Sequence, residues 1–170
     1  MAQDLPLVTV TSFDVAQEHL VREPWIFDCV LSINDPDGAG IPPRGFDEFR
    51  RFKLAIFFDD VVDTRFNYIP PTLEDAKKIV AFAKAAKGKV LIHCMAGISR
   101  STASAIAIPA TRFTPSSERA DSIMDWIAQV RPIARPNPLL VQQIDALTGW
   151  NGRLSASCGA RFYPRKKDPQ

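Results

Sequence analysis

The sequence contains few of the residues that build disulfide frameworks, metal sites or membrane spans, and each shortage excludes a class of protein. Cysteine occurs three times in 170 residues, as Cys29, Cys94 and Cys158, and this odd number at wide spacing fits neither a disulfide framework nor a zinc cluster. Histidine occurs only twice, which weakens a metal site further. No apolar run reaches the roughly 20 residues that span a bilayer, and a net charge of +2 gives no reason to expect nucleic-acid binding. We expect a cytoplasmic protein without a metal, a cofactor, or a nucleic-acid or membrane partner.

The order of the predicted elements indicates the fold class. Short apolar or β-branched runs predict strands at residues 7–10, 25–33, 52–58 and 90–92. Amphipathic patterns predict helices at residues 12–20, 72–88, 101–113 and 115–130, and a last one that ends at residue 149. Strands that alternate with helices and are followed by a run of helices indicate an α/β fold, with a mainly parallel central sheet flanked by helices.

Two segments lack this periodicity. Residues 34–45 are dominated by turn-forming residues and predict a long loop. Beyond Trp150 the sequence gains Gly, Ser and Lys and loses its apolar period. We therefore predict a single domain over residues 1–150 and a flexible C-terminal tail over residues 151–170.

Residues 89–104, KVLIHCMAGISRSTAS, carry the most informative pattern of the chain. A strand, a tight loop and a helix in this order turn the backbone N–H groups of the loop inward and add the positive end of the helix, which makes an anion site. This positive potential favours the thiolate form of Cys94. The guanidinium of Arg100 matches two oxygens of a phosphoryl group. Ser101 can donate its hydroxyl to the sulfur and make the thiolate a better leaving group.

The segment HCMAGISRS resembles the HC-x5-R-S signature of the cysteine-dependent protein tyrosine phosphatases, and its form is most similar to the dual-specificity branch. The resemblance implies a protein tyrosine phosphatase-like fold in which Cys94 is the nucleophile. His93 is expected to fix the loop through hydrogen bonds rather than to transfer protons. Residues 131–147 resemble the closing segment of the family, and we expect Arg131 and Asn137 to brace the domain. The expected phosphate-binding residues form the loop itself: Met95, Ala96, Gly97, Ile98, Ser99 and Arg100.

An enzyme of this kind needs a carboxyl group above the loop, because the departing oxygen must be protonated. Asp59, Asp60 and Asp63 follow the strand predicted at residues 52–58 and are the candidates. By resemblance, the alignment of LAIFFDD with the family falls on Asp60, whereas the spacing to Cys94 fits Asp63 better. We predict Asp60 as the general acid, with Asp63 as the alternative and Asp59 behind both.

These residues together predict a phosphomonoesterase that forms a phosphocysteine intermediate without a metal and acts on a phosphorylated protein or a small phosphomonoester. The loop does not identify the substrate further. Two alternatives remain open: a catalytically weak module that binds phosphate, and an enzyme like the sulfurtransferases or arsenate reductases, which use a similar anion loop. Cys29 is expected in the core, with a disulfide to Cys94 under oxidation as the alternative.

Overall fold

The computed structural model describes residues 5–36 and 40–164. Within those residues the chain forms four strands and six α-helices. The strands are β1 (Leu7–Thr11), β2 (Cys29–Asn34), β3 (Phe52–Phe57) and β4 (Lys89–His93). The helices are α1 (Phe13–Arg22), α2 (Leu73–Ala85), α3 (Arg100–Ala110), α4 (Ser117–Val130), α5 (Pro138–Thr148) and α6 (Arg153–Phe162).

The four strands form one sheet in the order β1-β4-β2-β3, and every neighbouring pair is parallel. The predicted fold class, a mainly parallel sheet flanked by helices, is therefore confirmed. In a parallel sheet all carboxyl ends meet at one edge. The residues that follow β2, β3 and β4 consequently lie next to one another, although they are far apart in the sequence.

Helices cover both faces of the sheet. On one face Val30 and Leu91 pack with α1 and with Phe46 and Phe49, which lie in the loop between β2 and β3. On the other face Leu31, Ile33, Val90 and Ile92 join the larger cluster formed with α2 to α6. All six residues of β2 are buried, which explains why its sequence is apolar almost without interruption.

Several predicted boundaries move in the structure. A 3₁₀ turn at Pro24–Ile26 precedes β2, which therefore begins later than predicted, at Cys29. Helix α4 is capped by the Ser116 side chain, which accepts a hydrogen bond from the Arg119 N–H, and not by Thr114. Thr72 forms the predicted capping box with Asp75 at the start of α2.

The predicted flexible tail is wrong for residues 153–162, which form α6, whereas residues 165–170 lie outside the described residues. Leu154 and Cys158 stand four residues apart on one face of this helix and are almost completely buried in the main core. The buried carboxylate of Asp145 accepts hydrogen bonds from the N–H groups of Gly152 and Ser155, at 2.6 and 3.0 Å. Apolar burial and this capping of its N-terminus hold the helix against α4 and α5.

No helix among the described residues is both long and apolar enough to cross a bilayer.

Candidate active site

The loop over residues 94–99 joins β4 to α3, and its peptide carbonyls point away from its centre into hydrogen bonds with the rest of the domain. The Phe13 N–H donates to the Met95 carbonyl at 3.0 Å, and the Arg131 Nε donates to the Gly97 carbonyl at 2.9 Å. The Arg135 N–H donates to the Ile98 carbonyl at 2.9 Å. Holding the carbonyls outward leaves the N–H groups available on the inner side, which is the arrangement of an anion-binding site.

The backbone N–H groups of residues 95–99 donate to no protein acceptor in the part of the chain that the structure describes. The N-terminus of α3 follows directly and adds its positive potential. Gly97 makes the tight turn at a φ of 68°, in the left-handed region. The loop therefore combines unused donors and a positive helix end at one point.

Cys94 lies at the start of this loop and is only 2% exposed. Its Sγ is 3.2 Å from the Oγ of Ser101, which is itself fully buried. The structure thus brings together the predicted nucleophile and the predicted hydroxyl donor.

Arg100 is 4% exposed and is anchored by one of its terminal nitrogens. Nη1 donates to the Asp35 carboxylate at 2.6 Å and to the Phe58 carbonyl at 2.7 Å. The buried Nε has no hydrogen-bond partner among the described residues. A guanidinium that is fixed through Nη1 can offer Nε and Nη2 side by side to two oxygens of one anion.

His93, at the end of β4, is completely buried, and its Nε2 is 2.8 Å from the Oγ of Ser32 on β2. Burial lowers the pKa of His93 to about 4, and the charge of Arg100 acts in the same direction. The imidazole is therefore neutral at physiological pH. Its hydrogen bond joins β4 to β2 at the residue that precedes the loop.

The three candidate aspartates have three different environments. Asp59 holds together the two ends of the loop over residues 59–69, because its carboxylate accepts a hydrogen bond from the Ile69 N–H at 2.7 Å. Asp63 is bonded to Arg65, whose hydrogen bonds hold the pKa of that carboxyl below its ordinary value. Asp60 alone of the three contacts the anion loop: its Oδ1 accepts from the Ser99 Oγ at 2.6 Å.

Asp60 has a second donor in Asn137, whose Nδ2 lies 3.0 Å from the same Oδ1. Asn137 and Arg131 were predicted to brace the domain, and both contact the site, Asn137 through Asp60 and Arg131 through the loop carbonyls. Sequence reasoning missed Asp35, the anchor of Arg100, because it lies among turn-forming residues. It also missed the contact of the Ser99 hydroxyl with Asp60.

Cys29 is not placed for chemistry with Cys94. Cys29 pairs in register with Val90, so it lies about 13 Å from Cys94 along the sheet. A disulfide needs Cα atoms about 4.4–6.8 Å apart, so the alternative of a Cys29–Cys94 disulfide is wrong for this fold. Burial raises the pKa of Cys29 and raises that of Cys158 to about 11, which makes both thiols poor nucleophiles.

The described residues contain no group of three or more His, Cys, Asp or Glu side chains that could hold a metal ion.

A family model for the dual specificity phosphatase catalytic domain matches residues 48–148, more than half of the chain. The chain belongs to this family. The resemblance predicted from the sequence is confirmed, and so is the predicted enzyme class, a protein tyrosine or dual-specificity phosphatase, at the level of the family.

Curated relatives and solved structures agree with the family match. The chain is 31% identical over 96 residues to human Protein phosphatase Slingshot homolog 3, which covers 56% of this chain and 14% of that protein. It is 29% identical over 138 residues to the Tyrosine-protein phosphatase YVH1 of Saccharomyces cerevisiae, which covers 81% of this chain and 34% of that protein. The chain thus spans only a minor part of the length of these relatives.

Among solved structures, DUSP15 superimposes with a TM-score of 0.57 at 25% identity, over 97% of this chain and 98% of that one. The Yvh1 phosphatase domain from Chaetomium thermophilum superimposes with a TM-score of 0.59 at 23% identity, over 91% and 96% of the two chains, and shows the common fold. These relatives lend no support to a sulfurtransferase or an arsenate reductase. The fold predicted from the resemblance is confirmed.

Proposed function

We propose that this member of the dual specificity phosphatase family hydrolyses phosphate monoesters through a phosphocysteine intermediate, without a metal. The observation that carries the proposal is the placement of Cys94 at the start of a loop beside Arg100. Within the described part of the chain, the N–H groups of this loop and the buried Arg100 Nε have no hydrogen-bond acceptor. A phosphate in the loop would satisfy all of these donors at once.

In the first step the Cys94 thiolate attacks phosphorus in line with the departing oxygen. The S–P bond forms, the P–O bond breaks, and the departing oxygen takes a proton from Asp60. The loop N–H groups and Arg100 stabilise the charge on the three equatorial oxygens of the transferring group.

In the second step water attacks the phosphocysteine. Asp60, now ionised, takes a proton from the water, the new P–O bond forms, and the S–P bond breaks to return the thiolate. Ser101 lies 3.2 Å from the sulfur and donates a hydrogen bond to it as negative charge returns. The products are an alcohol or phenol and inorganic phosphate.

A phosphorylated protein is the substrate that the rim of the loop supports best. Several exposed side chains on the segments around the loop are apolar: Val62, Met95 and Ile133 are each about half exposed. Arg135 is exposed as well, and its guanidinium lies over the Tyr163 ring, 5.0 Å from the ring centre. Arg65 is paired with Asp63, and Arg131 is bonded to loop carbonyls, so these cations are not available to a second phosphate group. A peptide with apolar neighbours fits this rim better than a polyanionic headgroup. A catalytic thiolate also requires reducing surroundings, which supports a cytoplasmic location.

The experiment is hydrolysis of p-nitrophenyl phosphate in reducing buffer with a chelator, between pH 4 and 9. We expect turnover by the wild type and none by Cys94→Ser. Asp60→Ala should lose the descending basic limb of the pH profile. The matched control Asp63→Ala should keep the wild-type profile, because the Asp63 carboxylate is bonded to Arg65 and to no loop residue among those that the structure describes.

A second arm compares a phosphotyrosine, phosphoserine and phosphothreonine peptide panel with a short-chain phosphoinositide. We expect faster hydrolysis of the peptides. A wild type that is inert toward every substrate but still binds phosphopeptides would replace the catalytic proposal with the phosphate-binding module.

A further inference from the structure

We propose that Asn137 is a positioning residue for the general acid, which it fixes to the anion loop and to α5 at the same time. The inference rests on the proposed function, because it assigns a role to Asn137 within that reaction. It concerns a residue that sequence reasoning expected only to brace the domain.

Asn137 is 2% exposed and makes five hydrogen bonds to three different segments, one of them from the Val141 N–H of α5 to its backbone carbonyl at 3.0 Å. Its Nδ2 donates to the Asp60 Oδ1 at 3.0 Å and to the Val61 carbonyl at 3.2 Å. Its Oδ1 accepts from the Leu140 N–H at 3.1 Å and so caps the N-terminus of α5. Its own backbone N–H donates to the Ser99 carbonyl at 3.3 Å.

The cap determines which way the amide of Asn137 faces. Only the oxygen of the amide can accept from the Leu140 N–H, because the opposite orientation would set two donors against each other. With the oxygen on α5, the NH₂ group must face Asp60 and the Val61 carbonyl. The start of α5 thus sets the direction of the donor that meets the acid.

The hydrogen bonds also favour one oxygen of Asp60 as the carrier of the transferable proton. Oδ1 accepts from the Ser99 Oγ at 2.6 Å and from the Asn137 Nδ2 at 3.0 Å, and these two donors use its lone pairs. The other oxygen, Oδ2, accepts from no donor among the described residues. These contacts favour a protonated acid with its proton on Oδ2, while Asn137 and Ser99 hold the carboxyl group by the opposite oxygen.

A residue that positions Asp60 should affect the hydrolysis of a substrate only to the extent that its leaving group must be protonated by Asp60. Phenyl phosphate has a poor leaving group that must be protonated, whereas 2,4-dinitrophenyl phosphate releases a stable anion without help. General acid catalysis contributes about 10²–10⁴-fold where it is needed. For Asn137→Ser we expect kcat/KM to fall about 10–100-fold on phenyl phosphate and less than about threefold on 2,4-dinitrophenyl phosphate.

The variants are chosen to separate positioning from helix capping. Asn137→Ser keeps a side chain that can cap α5 but lacks the amide donor. Asn137→Asp keeps the shape and the capping oxygen, and it replaces the donor by a carboxylate, so it carries the same test if the serine variant does not fold. Ser116→Ala removes the N-terminal cap of α4, at the end of that helix opposite Arg131, and should reduce kcat/KM equally on both substrates, if at all.

A double-mutant cycle completes the experiment. If Asn137 acts through Asp60, adding Asn137→Ser to Asp60→Asn should lower kcat/KM on phenyl phosphate by less than about twofold further. Equal losses on both substrates, or a full additional loss in the double variant, would overturn the inference while leaving the proposed function intact. A wild type that hydrolyses neither substrate would overturn the proposed function and this inference with it.

Discussion

Replacing Gly97 by alanine should cost the protein both stability and activity, for two separable reasons. The first reason is the left-handed backbone, since Gly97 has a φ of 68°. A residue with a Cβ pays about 1–2 kcal/mol there. The second reason is space: a Cβ at this position would lie 2.4 Å from the carbonyl carbon and oxygen of Thr11 and 2.7 Å from the Ser12 nitrogen.

The atoms in the way belong to the backbone between β1 and α1, and they cannot rotate aside. Ordinary contact needs about 1 Å more, so the anion loop or the end of β1 must shift by that amount. Overpacking of this kind costs about 1–3 kcal/mol. We expect a total loss of about 2–5 kcal/mol in the free energy of unfolding. A misplacement of about 1 Å around the reacting groups should lower kcat/KM by about 100-fold.

Gly149→Ala is the matched control. Gly149 also has a left-handed φ, of 74°, but a Cβ there would meet no atom within 4 Å. Urea denaturation should therefore give a loss of about 1–2 kcal/mol for Gly149→Ala, from backbone strain alone. Its hydrolysis of p-nitrophenyl phosphate should equal that of the wild type. Equal stability losses for the two variants, with full activity in Gly97→Ala, would refute the contact with β1 as the reason for glycine in the loop.

Three further predictions test the rest of the structure. His93 has a pKa of about 4 in the folded protein and about 6.5 in the unfolded chain. The free energy of unfolding should therefore fall by up to about 3 kcal/mol as the pH drops from 6.5 to 4. Urea titrations at several pH values should show this fall for the wild type, and the His93→Gln variant should lack it. Leu154→Ala should lower the free energy of unfolding by about 2–4 kcal/mol, because its side chain is buried, and Arg161→Ala, at an exposed position, by less than about 0.5 kcal/mol. Equal effects of the two substitutions would support a flexible tail in place of α6. Peroxide should inactivate Cys29→Ser at the wild-type rate, and mass spectrometry should find no Cys29–Cys94 disulfide. A different inactivation rate for Cys29→Ser, or a peptide that contains this disulfide, would contradict the register of the sheet.

The proposed nucleophile and the anion loop could be inferred from the sequence because their chemistry is local. Cys94, Gly97, Arg100 and Ser101 lie within eight consecutive residues, and the strand before them and the helix after them follow from short-range patterns. Helix α6 could have been predicted in the same way. Leu154, Cys158 and Phe162 repeat at a spacing of four residues, although the Gly and Ser residues between them suggested a tail.

The choice among the three aspartates could not be made locally. Asp59, Asp60 and Asp63 lie within five residues of one another and have the same side chain. What separates Asp60 is contact with Ser99 and Asn137, which are 39 and 77 residues away along the chain. The spacing to Cys94 favoured Asp63, but Asp63 is bonded to the neighbouring Arg65 instead.

The order of the strands explains why these distant partners meet at Cys94. Strand β4, which leads into Cys94, lies between β1 and β2, and β3 lies beyond β2. The segment after β2 therefore supplies Asp35 to the Arg100 side chain, 65 residues away, and the segment after β3 supplies both the Phe58 carbonyl and Asp60. A shift of β2 by one residue against β4 would turn the Ser32 side chain away from His93. The hydrogen bond between these two buried side chains thus fixes the register on which the contacts of Arg100 depend.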